Sequence, residues 1–173
     1  MTKCLRVSII APAMGTHSLP ERVILDRFCG KQQEVAATLG PKDLPRLAAL
    51  LKAPEWSVAV QARGERPRFA VHRVVGGAEG FLPLECARCM RIFEWPLHLA
   101  FAVVVVQGEE EEARWIEQED TWRAEDAVLP LLERLEDELL LALPDLPRCE
   151  DDACESHAEN WKSSGPAPGS HGE

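Results

Sequence analysis

The chain has 173 residues, of which 46% are hydrophobic, so it is long enough to bury the core of one domain of ordinary size. Its formal charge of −10, taken alone, argues against a nucleic-acid-binding protein, because contacts to phosphates dominate the affinity of such proteins. The longest apolar run, residues 97–106, contains His98 and is too short for a membrane-spanning helix. We therefore expect a cytoplasmic protein that has no membrane partner and keeps its cysteines reduced.

The charge is unevenly distributed along the chain. Residues 1–106 carry 14 Lys and Arg against 9 Asp and Glu, a net charge of +5. Residues 107–160 carry 4 against 19, a net charge of −15. This distribution leaves room for one basic surface in the first two thirds of the chain.

The first half of the chain predicts mainly short strands. Apolar patterning bounded by turn residues predicts four strands: Leu5–Ile10, Trp56–Ala62, Arg68–Val75 and Gly80–Glu85. Turns are predicted between the last three, at Gly64–Pro67 and Gly76–Gly77. Residues 13–40 give no clear pattern, although residues 22–25 are compatible with a strand. A short helix is predicted over Asp43–Lys52, with Asp43 as its N-cap.

The second half predicts one long strand and one long helix. Ile92–Val106 reads as a strand, and its continuous Val103–Val106 end predicts burial on both faces. Residues 107–126 form an acidic connector, for which a solvated loop is favoured over a docking surface for a basic partner. Val128–Leu143 has apolar residues at helical spacing and ends before Pro144.

Two pairs of cysteines have the spacing of metal ligands. Cys86 and Cys89 form a Cys-x-x-Cys motif between two predicted strands, and Cys149 and Cys154 follow the long helix. Thiolates are preferred ligands of Zn²⁺, and four of them leave no open position on the ion. Closing the long loop between the pairs costs about 3–4 kcal/mol, and structural zinc binding supplies roughly 10–16 kcal/mol. The sequence therefore predicts a structural Zn²⁺ site.

Three alternatives to this four-cysteine site stay open. Cys86 and Cys89 can instead form a redox-active dithiol, although such motifs usually lie where a strand meets a helix. The four thiols can also be unliganded. Finally, His157 can replace one cysteine, because Cys154-x-x-His157 is an acceptable ligand spacing. The remaining cysteines, Cys4 and Cys29, are expected to be inert thiols.

The sequence contains no recognisable catalytic motif, so we predict a protein that is not an enzyme and has no small-molecule substrate. Several arginines surround the predicted hairpins and are candidates for contact with RNA phosphates: Arg63, Arg66, Arg68, Arg73, Arg88 and Arg91. Composition alone favours the simpler interpretation that these arginines are solvated.

Three sequence blocks together resemble the YceD family of large ribosomal RNA subunit accumulation proteins. They are the run from Leu84 to Cys89, the acidic and leucine-rich run from Leu135 to Pro144, and Pro147-x-Cys149-x4-Cys154. The resemblance implies a role in the synthesis, processing or stability of 23S ribosomal RNA. The partner is then precursor or mature 23S rRNA, contacted directly or through a ribosome-assembly protein. Some members of the family carry His where Cys149 stands, a substitution that zinc tolerates.

We predict a single α+β domain over residues 1–155 and a flexible tail over residues 156–173. Its core is an antiparallel meander of about five strands, packed by the one long C-terminal helix and closed by a Cys4-type structural zinc knuckle. The favoured function is a non-enzymatic ribosome-biogenesis factor. The alternatives are a zinc-stabilised protein–protein interaction module and a thiol redox sensor, neither with a role on RNA.

Overall fold

A computed structural model describes residues 19–68, 71–150 and 154, with the side chains of residues 66–68 excepted. The elements in chain order are β1 (Val23–Ile24), α1 (Leu25–Gly30), β2 (Glu34–Leu39), α2 (Pro45–Leu50), β3 (Ser57–Arg68), β4 (Val71–Glu85), β5 (Ile92–Val106), α3 (Glu109–Trp115), β6 (Thr121–Arg123), β7 (Val128–Leu129) and α4 (Leu131–Leu141). The predicted α+β class is confirmed. The predicted strand Leu5–Ile10 and the predicted tail 156–173 lie outside the described residues.

Five strands form one sheet in the order β2-β3-β4-β5-β6. The first four are antiparallel neighbours that follow one another in the sequence, as the predicted meander requires. The fifth strand, β6, pairs parallel to β5, with Val104 opposite Thr121. A parallel neighbour needs a crossover connection, and the acidic connector provides one through α3. The expectation of a loop at residues 107–126 is therefore wrong for α3 and β6, although α3 is solvated and has no buried residue.

Both turns predicted in the first half of the chain lie inside strands. β4 continues through Gly76 and Gly77 without a break. A Cβ atom on Gly76 would lie 2.3 Å from the carbonyl oxygen of Gln61 and 2.5 Å from Cζ of Phe101. The glycine therefore permits close packing across the sheet instead of a turn. The other predicted turn, Gly64–Pro67, belongs to β3.

The hydrophobic core lies on one face of the sheet, beneath α1, α2 and α4. The buried helix residues that contribute to it are Leu25, Phe28, Cys29, Leu47, Leu131, Leu135 and Leu139. The predicted double burial of Val103–Val106 is confirmed, because all four side chains are buried. Val103 and Val105 belong to the core, and Val104 and Val106 point to the opposite face. On that face α3 contacts β5.

The long C-terminal helix is shorter than the predicted range Val128–Leu143. Val128 and Leu129 pair with β1 instead, and Pro130 separates this pairing from α4. The apolar residues keep their helical spacing across Pro130, so the sequence pattern does not indicate that Val128 and Leu129 pair with a distant strand. The helix that follows spans Leu131–Leu141.

Helix α2 is also shorter than predicted and has a different start. It covers Pro45–Leu50, and its N-cap position is Leu44, which makes no side-chain capping hydrogen bond. The carboxylate of Asp43 instead accepts a hydrogen bond from the backbone N–H of Gly40 at 2.9 Å. The predicted capping role of Asp43 is therefore wrong.

Candidate metal centre

The first two cysteines of the candidate site lie in the turn that joins β4 to β5. The backbone N–H of Cys86 donates to the carbonyl of Arg91 at 2.9 Å, and the N–H of Met90 donates to the carbonyl of Cys86 at 3.0 Å. Met90 has a φ of 59°, a left-handed conformation that is uncommon outside glycine and that reverses the chain sharply. This turn brings Cys86 and Cys89 to the same site.

The third cysteine, Cys149, ends the segment after α4, residues 144–149, which we name the strap. Pro144 and Pro147 restrict its backbone to extended conformations. The strap lies against the β4–β5 turn, because the N–H of Ala87 donates to the carbonyl of Pro147 at 2.8 Å. The N–H of Cys149, at the end of the strap, points at Sγ of Cys86 from 3.5 Å.

All four predicted cysteine ligands come together. Their Sγ atoms lie within 4.8 Å of one another, with 3.6 Å between Cys86 and Cys154 and 3.7 Å between Cys89 and Cys149. These distances are too long for disulfides, in which the sulfurs are about 2.05 Å apart. Four sulfurs at about 2.3 Å from a tetrahedral Zn²⁺ lie about 3.8 Å apart. The group can therefore hold one metal ion, and Zn²⁺ fits its donor set and spacing.

Hydrogen bonds and burial shift the pKa values of Cys86, Cys89 and Cys154 in different directions. The backbone N–H of Cys149, followed by that of Cys89, lowers the pKa of Cys86 to about 5. The backbone and then the side chain of Arg91 lower the pKa of Cys89 through hydrogen bonds. Burial raises the pKa of Cys154 to about 12. A bound cation deprotonates coordinating thiols outright, so a metal ion here would stabilise the thiolate of Cys154, which burial disfavours.

Cys29 lies apart from this group, as predicted for a cysteine that is not a ligand. It is buried in the core on α1, and its Sγ donates to the carbonyl of Arg73 at 3.4 Å. The alternative ligand His157 and the second solitary cysteine, Cys4, lie outside the described residues.

The candidate RNA-binding arginines do not form a single group. Arg63 and Arg73 lie on the face of the sheet opposite the core, near the start of β4, and form ion pairs with Glu65 and Glu119 respectively. Two more have described side chains, Arg88 and Arg91. They lie beyond the far end of β4, in the turn between β4 and β5 that carries Cys86 and Cys89, which we name the cysteine turn. The part of β4 from Arg73 to Glu85 separates these groups by about 40 Å at the rise of an extended strand. The side chains of Arg66 and Arg68 lie outside the described residues.

Sequence reasoning missed three exposed apolar side chains near the turn end of the β4–β5 hairpin, which we name together the arm patch. It consists of Phe81, Met90 and Ile92, whose exposed fractions are 61%, 76% and 51%. Phe81 and Ile92 lie on the face of β4 and β5 opposite the core. The exposure of Ile92 could have been predicted from the alternation of side chains along β5. Phe93 faces the core, so its neighbour Ile92 must face outward.

None of the helices in the described residues combines the length and apolarity that crossing a membrane requires. A family model described as "Large ribosomal RNA subunit accumulation protein YceD" matches residues 74–167, which is more than half of the chain. The matched range includes the cysteine turn, α4 and the strap. No curated protein and no solved structure matches the chain.

Proposed function

Because the chain belongs to the YceD family of large ribosomal RNA subunit accumulation proteins, we propose that it supports the synthesis, processing or stability of 23S ribosomal RNA without catalysing a reaction itself. The observation that carries this proposal is the family match over residues 74–167. The family description names an accumulation protein and no enzymatic activity. The partner is precursor or mature 23S rRNA, reached directly or through a ribosome-assembly protein.

Within this function, the four cysteines bind one structural Zn²⁺. The support for this step is the set of four sulfur donors at mutual distances compatible with a tetrahedral ion. Four protein ligands complete the coordination of the ion, so it offers no position for a substrate. The ion joins the β4–β5 turn to the strap, and thereby fixes the end of the sheet that carries the arm patch.

The metal content of the purified protein tests the zinc site. We expect one zinc ion per chain in protein prepared without chelators, measured by mass spectrometry of the metal. Cys149→Ser removes one ligand and should lower the zinc content, whereas Cys29→Ser changes a buried thiol outside the site and should leave it unchanged. Metal-free wild-type protein, or equal zinc content in both variants, would refute the site.

The ribosomal role is tested in cells of the organism that encodes the chain. Deleting the gene should lower the ratio of 23S to 16S rRNA, and the wild-type gene should restore it. A Cys149→Ser gene should restore it less well than a Cys29→Ser gene when both proteins are expressed at the same level. An unchanged rRNA profile in the deletion strain would contradict the proposal.

A second candidate function is a zinc-stabilised protein-interaction module without a role on RNA. The arm patch favours it, because three large apolar side chains exposed near one end of the sheet offer apolar area that a protein partner can bury. The ion pairs of Arg63 and Arg73 also favour this candidate, since an arginine neutralised by a carboxylate contributes less to phosphate binding. A normal rRNA profile in the deletion strain would favour this candidate.

Crosslinking the purified protein to precursor rRNA distinguishes direct from protein-mediated contact. If contact is direct, Arg88→Ala and Arg63→Ala should each weaken the crosslink. Ile92→Ser, in the arm patch, changes no charge and serves as the comparison. Absence of a crosslink from the wild-type protein would favour contact through a ribosome-assembly protein.

A further inference from the structure

The outward face of the β4–β5 hairpin carries a row of apolar positions near its turn, which we name the apolar strip. Pro96 lies directly opposite Phe81 across the two strands, and Pro83 follows Phe81 on the same face of β4. Ile92 lies diagonal to Pro83, at a spacing of about 7–8 Å that side chains on one face of a sheet can bridge. Apolar positions therefore connect Phe81 and Ile92 of the arm patch along the hairpin.

Carboxylates border the apolar strip. Glu94 lies directly opposite Pro83, and Glu85 lies directly opposite Ile92. Both glutamates are exposed, and neither strand carries a Lys or Arg within this part of the hairpin. The outward face is therefore both apolar and negatively charged here.

The strand that carries Phe81 and Pro83 is held from behind by the core. Leu82 and Leu84, on the opposite face of β4, are only 0% and 7% exposed. The outward side chains thus project from a backbone that is already fixed before a partner arrives. Such preorganisation lowers the entropic cost of binding.

The charge beside the apolar strip distinguishes between its possible occupants. RNA is disfavoured, because the carboxylates of Glu85 and Glu94 repel phosphates. A second copy of the chain, bound symmetrically through the same surface, would bring the same carboxylates into the contact, where like charges oppose one another. A protein segment that carries large apolar side chains together with Lys or Arg has neither disadvantage.

We propose that the arm patch and the apolar strip form the docking site for a basic and apolar segment of a partner protein. The apolar side chains of that segment cover Phe81, Pro83 and Ile92, and its Lys or Arg side chains lie against Glu85 and Glu94. The inference requires a protein partner but no role on RNA. It therefore goes beyond the proposed function and can hold or fail independently of it.

Photocrosslinking in cells of the organism that encodes the chain tests the proposal. Phe81 is replaced in the full chain by the photoreactive residue p-benzoylphenylalanine, and the crosslinked segment is sequenced by mass spectrometry. We expect one partner protein, linked through a segment that carries Lys or Arg beside apolar residues. The same replacement at Leu50 is the control and should not give this product. Leu50 is 58% exposed, close to the 61% of Phe81, but it lies on α2, on the other side of the sheet.

Variants of the docking site test the two parts of the recognition separately. Glu85→Lys and Glu94→Lys together should lower the yield of the crosslinked product at least about fivefold, because they place like charges against the basic segment. Ile92→Ser, which removes apolar area without changing the charge, should lower the yield by a similar factor. Glu133→Lys reverses an exposed carboxylate on α4 and should leave the yield unchanged. Circular dichroism of each purified variant confirms that it is folded.

Several results would overturn the proposal. One is the absence of a crosslinked protein from Phe81, and another is a product linked to RNA, to a second copy of the chain or to a segment of the same chain. A partner segment without Lys or Arg would also overturn it, as would a yield that the double charge reversal leaves unchanged. The expected crosslink together with a normal rRNA profile in the deletion strain would refute the ribosomal role and retain the docking site.

Discussion

Arg46 and Glu136, which are 90 residues apart in the sequence, connect α2 to α4. Nε of Arg46 donates to Oε2 of Glu136 at 2.8 Å. Oε1 of Glu136 accepts the backbone N–H groups of Arg46 and Leu47 at 2.7 and 3.1 Å. The Glu136 side chain is only 6% exposed. This buried carboxylate therefore satisfies the first N–H groups of a helix that has no side-chain cap of its own.

We expect Glu136→Ala to lower the free energy of unfolding by about 2 kcal/mol, because it leaves the buried N–H groups of α2 without an acceptor. Urea unfolding followed by circular dichroism measures the change. Glu133→Ala is the matched control, since Glu133 is an exposed residue of the same helix. Its effect should stay within about 0.5 kcal/mol. Equal losses in the two variants would contradict the capping role of Glu136.

The acidic run of the family motif is used for packing. Asp137 accepts from Arg46 at 2.6 Å and from Arg134 at 3.2 Å, and Glu138 accepts from Nε1 of Trp122 at 2.9 Å. Helical periodicity predicted the apolar face of α4 from the sequence. It could not predict that carboxylates beside this face are paired with residues from α2 and β6, because those contacts exist only after the chain has folded.

The grouping of the four cysteines was easier to predict than the sheet. The type and spacing of the cysteines are local properties, and they were enough to group Cys86 and Cys89 with Cys149 and Cys154. By contrast, β6 has three residues and carries no strand pattern of its own. It forms because Trp122 is buried and packs against Phe101, with ring centroids 5.1 Å apart and the ring planes tilted by 36°. Such a contact between distant residues leaves no periodic signal in the sequence.

Gly76→Ala should destabilise the protein strongly. The new Cβ would lie 2.3 Å from the carbonyl oxygen of Gln61 and 2.5 Å from Cζ of Phe101, so the centre of the sheet would have to move. We expect a loss of about 2 kcal/mol or more, in the range of other overpacked cores, measured by urea unfolding. Gly30→Ala is the control, because nothing lies within 4 Å of its new Cβ. A loss of similar size at Gly30 would show that the close packing at Gly76 is not the cause.

The stability of the protein should fall at alkaline pH because of Cys29. Burial raises the pKa of this thiol from 9.0 to about 11, opposed by a backbone hydrogen bond to Arg73 and reinforced by the charge of Asp26. The folded state therefore favours the neutral thiol more than the unfolded state does. Its contribution is complete below about pH 9 and is lost as the pH rises towards 11, by about 2–3 kcal/mol in all.

The difference between wild type and Cys29→Ala isolates this contribution, because the other titrating groups are common to both proteins. The free energy of unfolding should decline less steeply in the variant between pH 9 and pH 11. Equal slopes in this range would show that the thiol has the same pKa in the folded and unfolded states.

Removal of the metal should release the strap while leaving the helical side of the core intact. The N–H of Ala87 bonds to the carbonyl of Pro147, so its exchange reports whether the strap stays on the cysteine turn. A chelator should accelerate this exchange by at least about tenfold, because the proposed Zn²⁺ would supply most of the free energy that holds the two segments together. The N–H of Ala48, bonded to Leu44 in α2, should exchange at an unchanged rate. Cys149→Ser should reproduce the effect without chelator, and Cys29→Ser should not. If Ala87 exchanges equally slowly with and without chelator, protein contacts alone hold the strap in place, and the structural role of the ion is wrong.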